Sequence, residues 1–380
     1  MIGGGALRTA SLLEYLGRRF DLDLIVFRQP GAPDPKGLLP KELVRSASVI
    51  DLPFNGRGFV SRTARNLRRL AKGVPPLNDR FSGFESQVAQ ALAGRRYDLA
   101  IAEHFWLSGY RGVLARHAKS VGMDLHNIES ILFERMAATE PWPASAIHGR
   151  FGKICGEMEA RQLPEFDFLM VTSENDRDTV ARIAPATKTV IYPNTIPLQP
   201  VPQVARQNAI IFTGNLEYHP NTCAVRYFHE KIWPLVSARK PELVWKIAGI
   251  NPQAVQSIVA GSPRVELIGP VEDSATTIAS AQAAIIPLLA GSGTRLKILD
   301  AWAAQTPVIS TTIGAEGLTA QDGEHILIRD GAGPFADAIC EIVENSQLAA
   351  KLGYCGRVLY EREYTWEAAW KRLDNVEGLY

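Results

Sequence analysis

Five short apolar runs punctuate the second half of the chain, at Ala209–Thr213, Leu243–Ala248, Val265–Ile268, Ala284–Leu288 and Val308–Thr311. Helical stretches separate them, at about 220–238, 252–260, 272–281 and 294–304. Each run is apolar throughout rather than alternating, so each strand must be covered on both faces. Buried strands alternating with helices can close only as βαβ units around a parallel sheet. Ligands of such sheets bind outside the carboxyl ends of the strands.

The first half follows the same grammar less regularly. Strands are expected at Leu22–Phe27, Ser48–Leu52, Tyr97–Ala102, Ser120–Leu125, Phe168–Thr172 and Thr189–Tyr192. Helices are expected at 59–72, 82–93 and 107–117, then on to about 163 with a break at Pro141 and Pro143, and from Ser173. Pro193 then opens a linker with Pro197, Pro200 and Pro202, residues that cannot join a ladder. A length of 380 residues suits two domains. The reading is therefore α/β, with domains at 1–195 and 196–363 and an aromatic closing helix, 364–380, returning to the first. The chain opens on Met1, Ile2 and Gly3, with no apolar run ahead of the first helix. The first strand of the N-terminal domain is therefore expected to be missing.

Charge excludes several partners. Lys plus Arg is 41 and Asp plus Glu is 40, for a net charge of +1, and no aromatic-rich basic groove is visible, so nucleic acid is not expected. The four cysteines are scattered and suggest neither a zinc ribbon nor a dithiol site. No apolar run approaches the roughly 20 residues of a membrane span, and no signal peptide is visible, so the cytoplasm is the expected location. Asp21 and Asp23 form an Asp-x-Asp pair, but they open a strand instead of ending one, and no metal role is expected.

The most informative stretch is Pro287–Gly317, PLLAGSGTRLKILDAWAAQTPVISTTIGAEG. A strand ends, a turn of Gly291, Ser292, Gly293 and Thr294 follows, and a helix begins. The open amides and positive dipole end of that helix, with Arg295 and Lys297 in its first turn, suit a diphosphate. Asp300, one turn on, can accept hydrogen bonds from ribose hydroxyls. The same residues also suit a surface helix with solvated cations.

This stretch resembles the donor-binding segment of the retaining glycosyltransferases of family 4, the group 1 transferases with the GT-B fold. Phe212–Asn221 with Trp233 and Pro234 resembles the start of their second domain, and Asp124–Glu129 a segment of their first. Gly3, Gly4, Gly5 and Arg8 resemble their N-terminal glycine loop, and Tyr364–Trp366 the start of their closing helix. The resemblance covers essentially the whole chain. It implies two Rossmann-like doubly wound parallel-sheet domains facing a cleft, and transfer of a sugar from a nucleotide sugar to an acceptor hydroxyl. Anomeric configuration would be retained, with no metal and no cofactor beyond the nucleotide-diphosphate sugar as co-substrate. A role in polysaccharide biosynthesis would follow.

Carried over residue by residue, the donor side comprises Gly214, Asn215, Gly291, Ser292, Gly293, Thr294, Asp300 and Glu316. Arg295 and Lys297 neutralise the leaving diphosphate. His126 contacts the transferring sugar. Asn127 and Glu129 either orient it, meet sugar hydroxyls or cap the following helix. His104 ends another strand and is a second candidate. Gly4, Gly5 and Arg8 fall on the acceptor side. Two positions depart from the family pattern, since Ser292 stands where the first of two glutamates is usual and Asn215 where an arginine is usual. The phosphate charge then falls on Arg295 and Lys297. A nucleotide-sugar 2-epimerase of the same fold and a non-catalytic nucleotide-sugar-binding protein are the competing readings.

The net charge hides an asymmetry. Residues 1–80 carry 14 Lys/Arg and 7 Asp/Glu, and six of those cations fall in 56–72 with no acid. Arg62, Arg65, Arg69 and Lys72 share one helical stripe. Such a helix suits an anionic membrane surface at the inner face or an anionic or lipid-linked acceptor, and equally a solvated face packed by its apolar side.

Overall fold

The computed structural model describes residues 4–56, 58–290 and 296–374. The chain divides into two compact units. One comprises Met1–Arg8 with Pro193–Ala369, and the other Thr9–Tyr192 with Trp370–Tyr380. They are called below the C-terminal and N-terminal units.

The N-terminal unit holds strands β1 (Asp23–Arg28), β2 (Ser46–Asp51), β3 (Tyr97–Glu103), β4 (Ala118–Asp124), β5 (Phe168–Val171) and β6 (Lys188–Ile191). All pairings are parallel, but they form two sheets, β1-β2 and β3-β4-β5-β6. The four-stranded sheet packs around Val121, Met123, Leu169 and Val171 with Leu163 and Val180. A second apolar cluster, of Ile50, Val88, Leu92, Tyr110 and Val113, serves the pair. Phe27 anchors it, with ring centroids 5.5 Å from Phe81 and 5.6 Å from Tyr110.

The C-terminal unit holds β7 (Ala209–Thr213), β8 (Val244–Ala248), β9 (Val265–Gly269), β10 (Ala283–Ile286), β11 (Val308–Ser310) and β12 (Leu327–Ile328) in one parallel sheet, ordered β12-β11-β10-β7-β8-β9. Every residue of β7, β10 and β11 is buried, which is why these runs carry no alternation. A single apolar cluster spans the unit from Ile196 to Tyr364. The strand order reverses between β7 and β10, which makes the carboxyl ends of those strands the switch point.

The helix expected at 59–72 is present as Phe59–Lys72. Gly73 stops it in the left-handed conformation, and its N–H reaches the carbonyls of Arg69 and Leu70. The stretch 107–117 departs from expectation. It forms a 3-10 segment, Phe105–Tyr110, and a single turn, Arg111–Leu114, because Gly109 and Gly112 weaken a longer helix. The stretch 220–238 is divided by a π turn, Phe228–Ile232, directly before Pro234, whose missing N–H disrupts regular pairing there. Helices Ala332–Glu344 and Ser346–Glu363 and strand β12 have no counterpart in the sequence reading. The closing helix is described as Trp366–Leu373. No described helix is long and apolar enough to cross a membrane.

Candidate functional site

The switch point of the C-terminal unit brings Lys297 against the segment Phe212–Asn221. The chain leaves β7 at Gly214, whose N–H donates to the carbonyl of Ala248 at 3.0 Å. A side chain at Gly214 would begin 2.8 Å from Asn221 Nδ2 and 3.3 Å from Lys297 Nζ. Lys297 Nζ donates to Asn221 Oδ1 at 2.5 Å and lies 4.5 Å from the centroid of the Phe212 ring. Asn221 Nδ2 in turn donates to the carbonyl of Asn215 at 2.8 Å. The ammonium is thus fixed by an amide and an aromatic face beside a stretch of bare backbone. Asn215 is exposed, and its Oδ1 accepts from the backbone N–H of Glu217 and from Asn251 Nδ2 at 3.0 Å.

Asp300 follows Lys297 by one turn on the helix Leu296–Ala303. Burial pushes its carboxyl up to about 6, against the pull of Lys297. Such a group holds its proton more readily than an ordinary carboxylate and can donate as well as accept near neutral pH. Glu316 is half-buried after the short helix Thr312–Ala315. Gly291, Ser292, Gly293, Thr294 and Arg295 lie outside the described residues.

Two groups here were not singled out from sequence. Asn221 fixes the ammonium, and Gly249 packs against Gly214 so tightly that a side chain would begin 1.7 Å from the Gly214 carbonyl oxygen. Asn221 stands within the quoted segment Phe212–Asn221, but only the fold reveals its partner.

The N-terminal unit carries a second cluster, at the carboxyl ends of β3 and β4. Parallel pairing sets Glu103 opposite Asp124, and the His104 N–H donates to the Asp124 carbonyl at 2.8 Å. This places His104 and His126 ring to ring, 3.7 Å between centroids, with Trp106 stacked on His104 at 3.9 Å. His104 adopts φ 72°, the left-handed region. His126 is 6% exposed, and its Nε2 lies 3.3 Å from Asp124 Oδ2 and 3.9 Å from Glu103 Oε2. Glu103 Oε2 accepts from Thr9 Oγ1 at 2.5 Å. Both expected histidines therefore meet, with Glu103 and Asp124 brought in by strand register, Trp106 by the 3-10 segment Phe105–Tyr110 and Thr9 by the helix Gly4–Gly17.

The remaining acceptor-side candidates scatter. Asn127 is half-buried beside His126, and the cap of the following helix, Glu129–Thr139, is Ile128 without a side-chain bond. Glu129 is buried toward the helix Ala144–Gln162, where burial and the charge of Glu159 push its carboxyl up to about 7. Gly4 and Gly5 form the first turn of the helix Gly4–Gly17 and not a preceding loop, and Gly3 lies outside the described residues. Arg8 is 1% exposed and reaches Asn194 Oδ1 at 3.4 Å. Among the described residues no group of three or more His, Cys, Asp or Glu could hold a metal ion. Asp23 has a structural role, bonded to Arg45, Ser46, Arg95 and Tyr97.

Parallel, doubly wound sheets with the switch-point site just described define the class. The fold is GT-B, the two-domain Rossmann-like architecture of glycosyltransferases. Residues 207–345 match the model of the glycosyl transferases group 1. The chain is 22% identical over 273 residues to an uncharacterized 44.6 kDa protein in the cps region of Klebsiella pneumoniae, covering 68% of this chain and 69% of that one. It is 22% identical over 411 residues to the D-inositol 3-phosphate glycosyltransferase of Corynebacterium diphtheriae, with 92% and 91% covered. Sucrose-phosphate synthase from Thermosynechococcus elongatus superposes with a TM-score of 0.69 at 18% identity, over 98% of this chain and 92% of that chain. S. aureus TarM, solved with fondaparinux, alpha-GlcNAc-glycerol and UDP, superposes with a TM-score of 0.57 at 14% identity over 73% of this chain. This chain spans about half of TarM, 54% of its length.

Proposed function

We propose that this protein is a glycosyltransferase that moves a sugar from a nucleotide-diphosphate donor to an acceptor hydroxyl, with retention of anomeric configuration and without a metal ion. The observation that carries the reading is the fixed Lys297 ammonium beside Gly214 at the switch point, inside the stretch that matches the family model. Breaking the anomeric C–O bond loads negative charge onto the departing diphosphate. A preorganised cation and open backbone amides stabilise that charge more in the transition state than in the ground state. Lys297 and Arg295 fill this role, and the helix start beside them adds its dipole. Asp300 meets the ribose hydroxyls. His126 contacts the transferring sugar from its own unit.

Retention follows, in this reading, from attack on the same face as the departing phosphate, which itself takes the acceptor proton. No pair of carboxylates in glycosidase spacing is then required. The carrying capacity of the two cations also removes the need for a divalent ion, so chelation with EDTA leaves turnover unchanged.

The test is direct. Lys297→Met should lower kcat by about a hundredfold or more, as the loss of one charge-stabilising donor does elsewhere. Asn221→Ala should lower it less, since the ammonium stays but loses its fixed position. Product formation from UDP-linked sugars, followed by mass spectrometry and anomeric NMR, reads both rate and configuration. An inverted product overturns the retaining mechanism. Full turnover in Lys297→Met overturns the site.

A further inference from the structure

The N-terminal unit contains an arginine-lined cavity of about 190 Å³ that shares no lining residue with the histidine cluster. Its wall is built by the helix Phe59–Lys72, the helix Pro76–Phe81 and the chain after β2. Arg65 and Arg68 enter it from successive turns of the first helix, and Arg80 from the end of the second. Among the described residues Asp79 is its only carboxylate, and that group is already engaged by Arg69 Nε at 2.8 Å. No described carboxylate pairs with Arg65 or Arg68. Arg80 is held by neutral acceptors alone, Nη1 by the Pro53 carbonyl at 2.6 Å and Nη2 by Gln29 Oε1 at 2.9 Å.

Three guanidiniums around one cavity repel each other, and Arg80 also loses solvent. The effect is visible at Arg80, whose affinity for its proton is lowered by burial and then by the charges of Arg69 and Arg65. An anion in the cavity reverses that penalty. Guanidinium groups match tetrahedral oxyanions in particular, since each can offer two parallel N–H donors. The space far exceeds the roughly 10–15 Å³ that one water needs. Asn55 adds an amide at the rim, and Phe54 and Leu67, 76% and 63% exposed, flank the opening in sequence.

We propose that this cavity is a phosphate site, taking a phosphomonoester or phosphodiester group presented by a soluble molecule or by a lipid headgroup. The cavity shares no lining residue with the surroundings of Lys297, so its failure leaves the donor-site reading untouched.

The full-length protein tests this in two arms at fixed ionic strength. One titrates inorganic phosphate and pyrophosphate by calorimetry. The other sediments the protein with phosphatidylcholine vesicles, with and without phosphatidylglycerol. Arg65→Gln combined with Arg68→Gln is the test variant, and both positions are solvent-reachable enough to leave folding intact. Arg226→Gln with Lys351→Gln, on exposed positions of the other unit, removes the same charge as a control. Saturable binding in either arm that weakens at least about tenfold in the test variant and not in the control supports the site. Binding in the first arm identifies a soluble phosphate, and binding only in the second a headgroup. Absence of saturable binding in both arms, or equal weakening in test and control variants, overturns it.

Discussion

The two units use one grammar and reach different degrees of closure. In the C-terminal unit β7 pairs on both sides, with β8 and β10, and all five of its residues are buried. In the N-terminal unit β1 pairs with β2 alone, and each of its six residues is only half-buried. One apolar cluster unites the first unit, whereas separate clusters serve the two sheets of the second. A continuous ladder lets backbone bonds and apolar burial reinforce each other along the whole sheet. A divided one must be joined by side chains. Leu107 and Leu114 touch both N-terminal clusters, and Asp23 ties the starts of three strands. Its carboxylate accepts from Arg45 and Ser46 at β2 and from Arg95 and Tyr97 at β3.

The sharpest way to break the comparison is to damage the continuous sheet at its switch point. Gly249 N–H donates to the Gly269 carbonyl at 2.7 Å, and φ is 156°. A methyl group there would meet the Gly214 carbonyl oxygen at 1.7 Å and its carbon at 2.8 Å. Those are backbone atoms, so the ends of β7 and β8 must part. Gly249→Ala should cost about 4 kcal/mol or more and weaken nucleotide binding together with stability. A variant with wild-type urea midpoint and wild-type affinity would show that the two strand ends are not rigidly coupled.

Asp23→Asn tests the divided sheet in the same way. It removes charge-assisted bonds from a carboxylate whose side chain is 8% exposed, at an expected cost of about 2–3 kcal/mol. Amide exchange should accelerate in β1 and β2 and stay unchanged in β7 and β10. The hydrogen bond from Arg45, partly opposed by burial, holds the carboxyl well below its ordinary range. The stabilisation is therefore present above about pH 4, the unfolded value, and is lost as the pH falls below it. The gap between wild type and variant should close on acidification. A constant gap would assign the loss to packing instead of charge.

How far the sequence discloses this architecture depends on whether the deciding contact is local. The limits of β7 and of the helix Phe59–Lys72 follow from runs of adjacent residues, and both agree with expectation. His104 and His126 were each legible as strand-end residues, but their contact depends on the register that pairs Glu103 with Asp124. Gly249 needs to be glycine only because Gly214 returns against it from a distant part of the chain. The helix Ala332–Glu344 opens with Gly331, Gly333 and Pro334, loop signals that a first helical turn tolerates. In the helix Ser346–Glu363, Gly353 and Gly356 look like breakers, yet a side chain at either would strike Gln305 or Trp302. Strand β12, two residues long, carries too little pattern to be read.

The smallest effect concerns a buried pair within the N-terminal unit itself. Glu159 is 1% exposed and accepts from the backbone N–H of Ser130 at 3.1 Å and from its hydroxyl at 2.5 Å. Those bonds favour its ionised form, although burial acts more strongly in the opposite sense. Glu129, beside it, is pushed up to about 7 by burial and then by Glu159. Between its unfolded value of about 4.3 and that folded value, the native state holds more protons than the unfolded chain. Stability must therefore fall as the pH rises through this window and stay lower above it. Glu129→Gln removes the titration while keeping the shape. It should leave stability nearly unchanged at pH 4 and raise it by about 2 kcal/mol at pH 6, read from urea midpoints. Because the pair lies between two helices of the N-terminal unit, the gain should appear as slower amide exchange in Glu129–Thr139 and Ala144–Gln162, with β7 to β11 unaffected. Equal midpoint shifts at both pH values would place the effect in packing and remove the proton from the account.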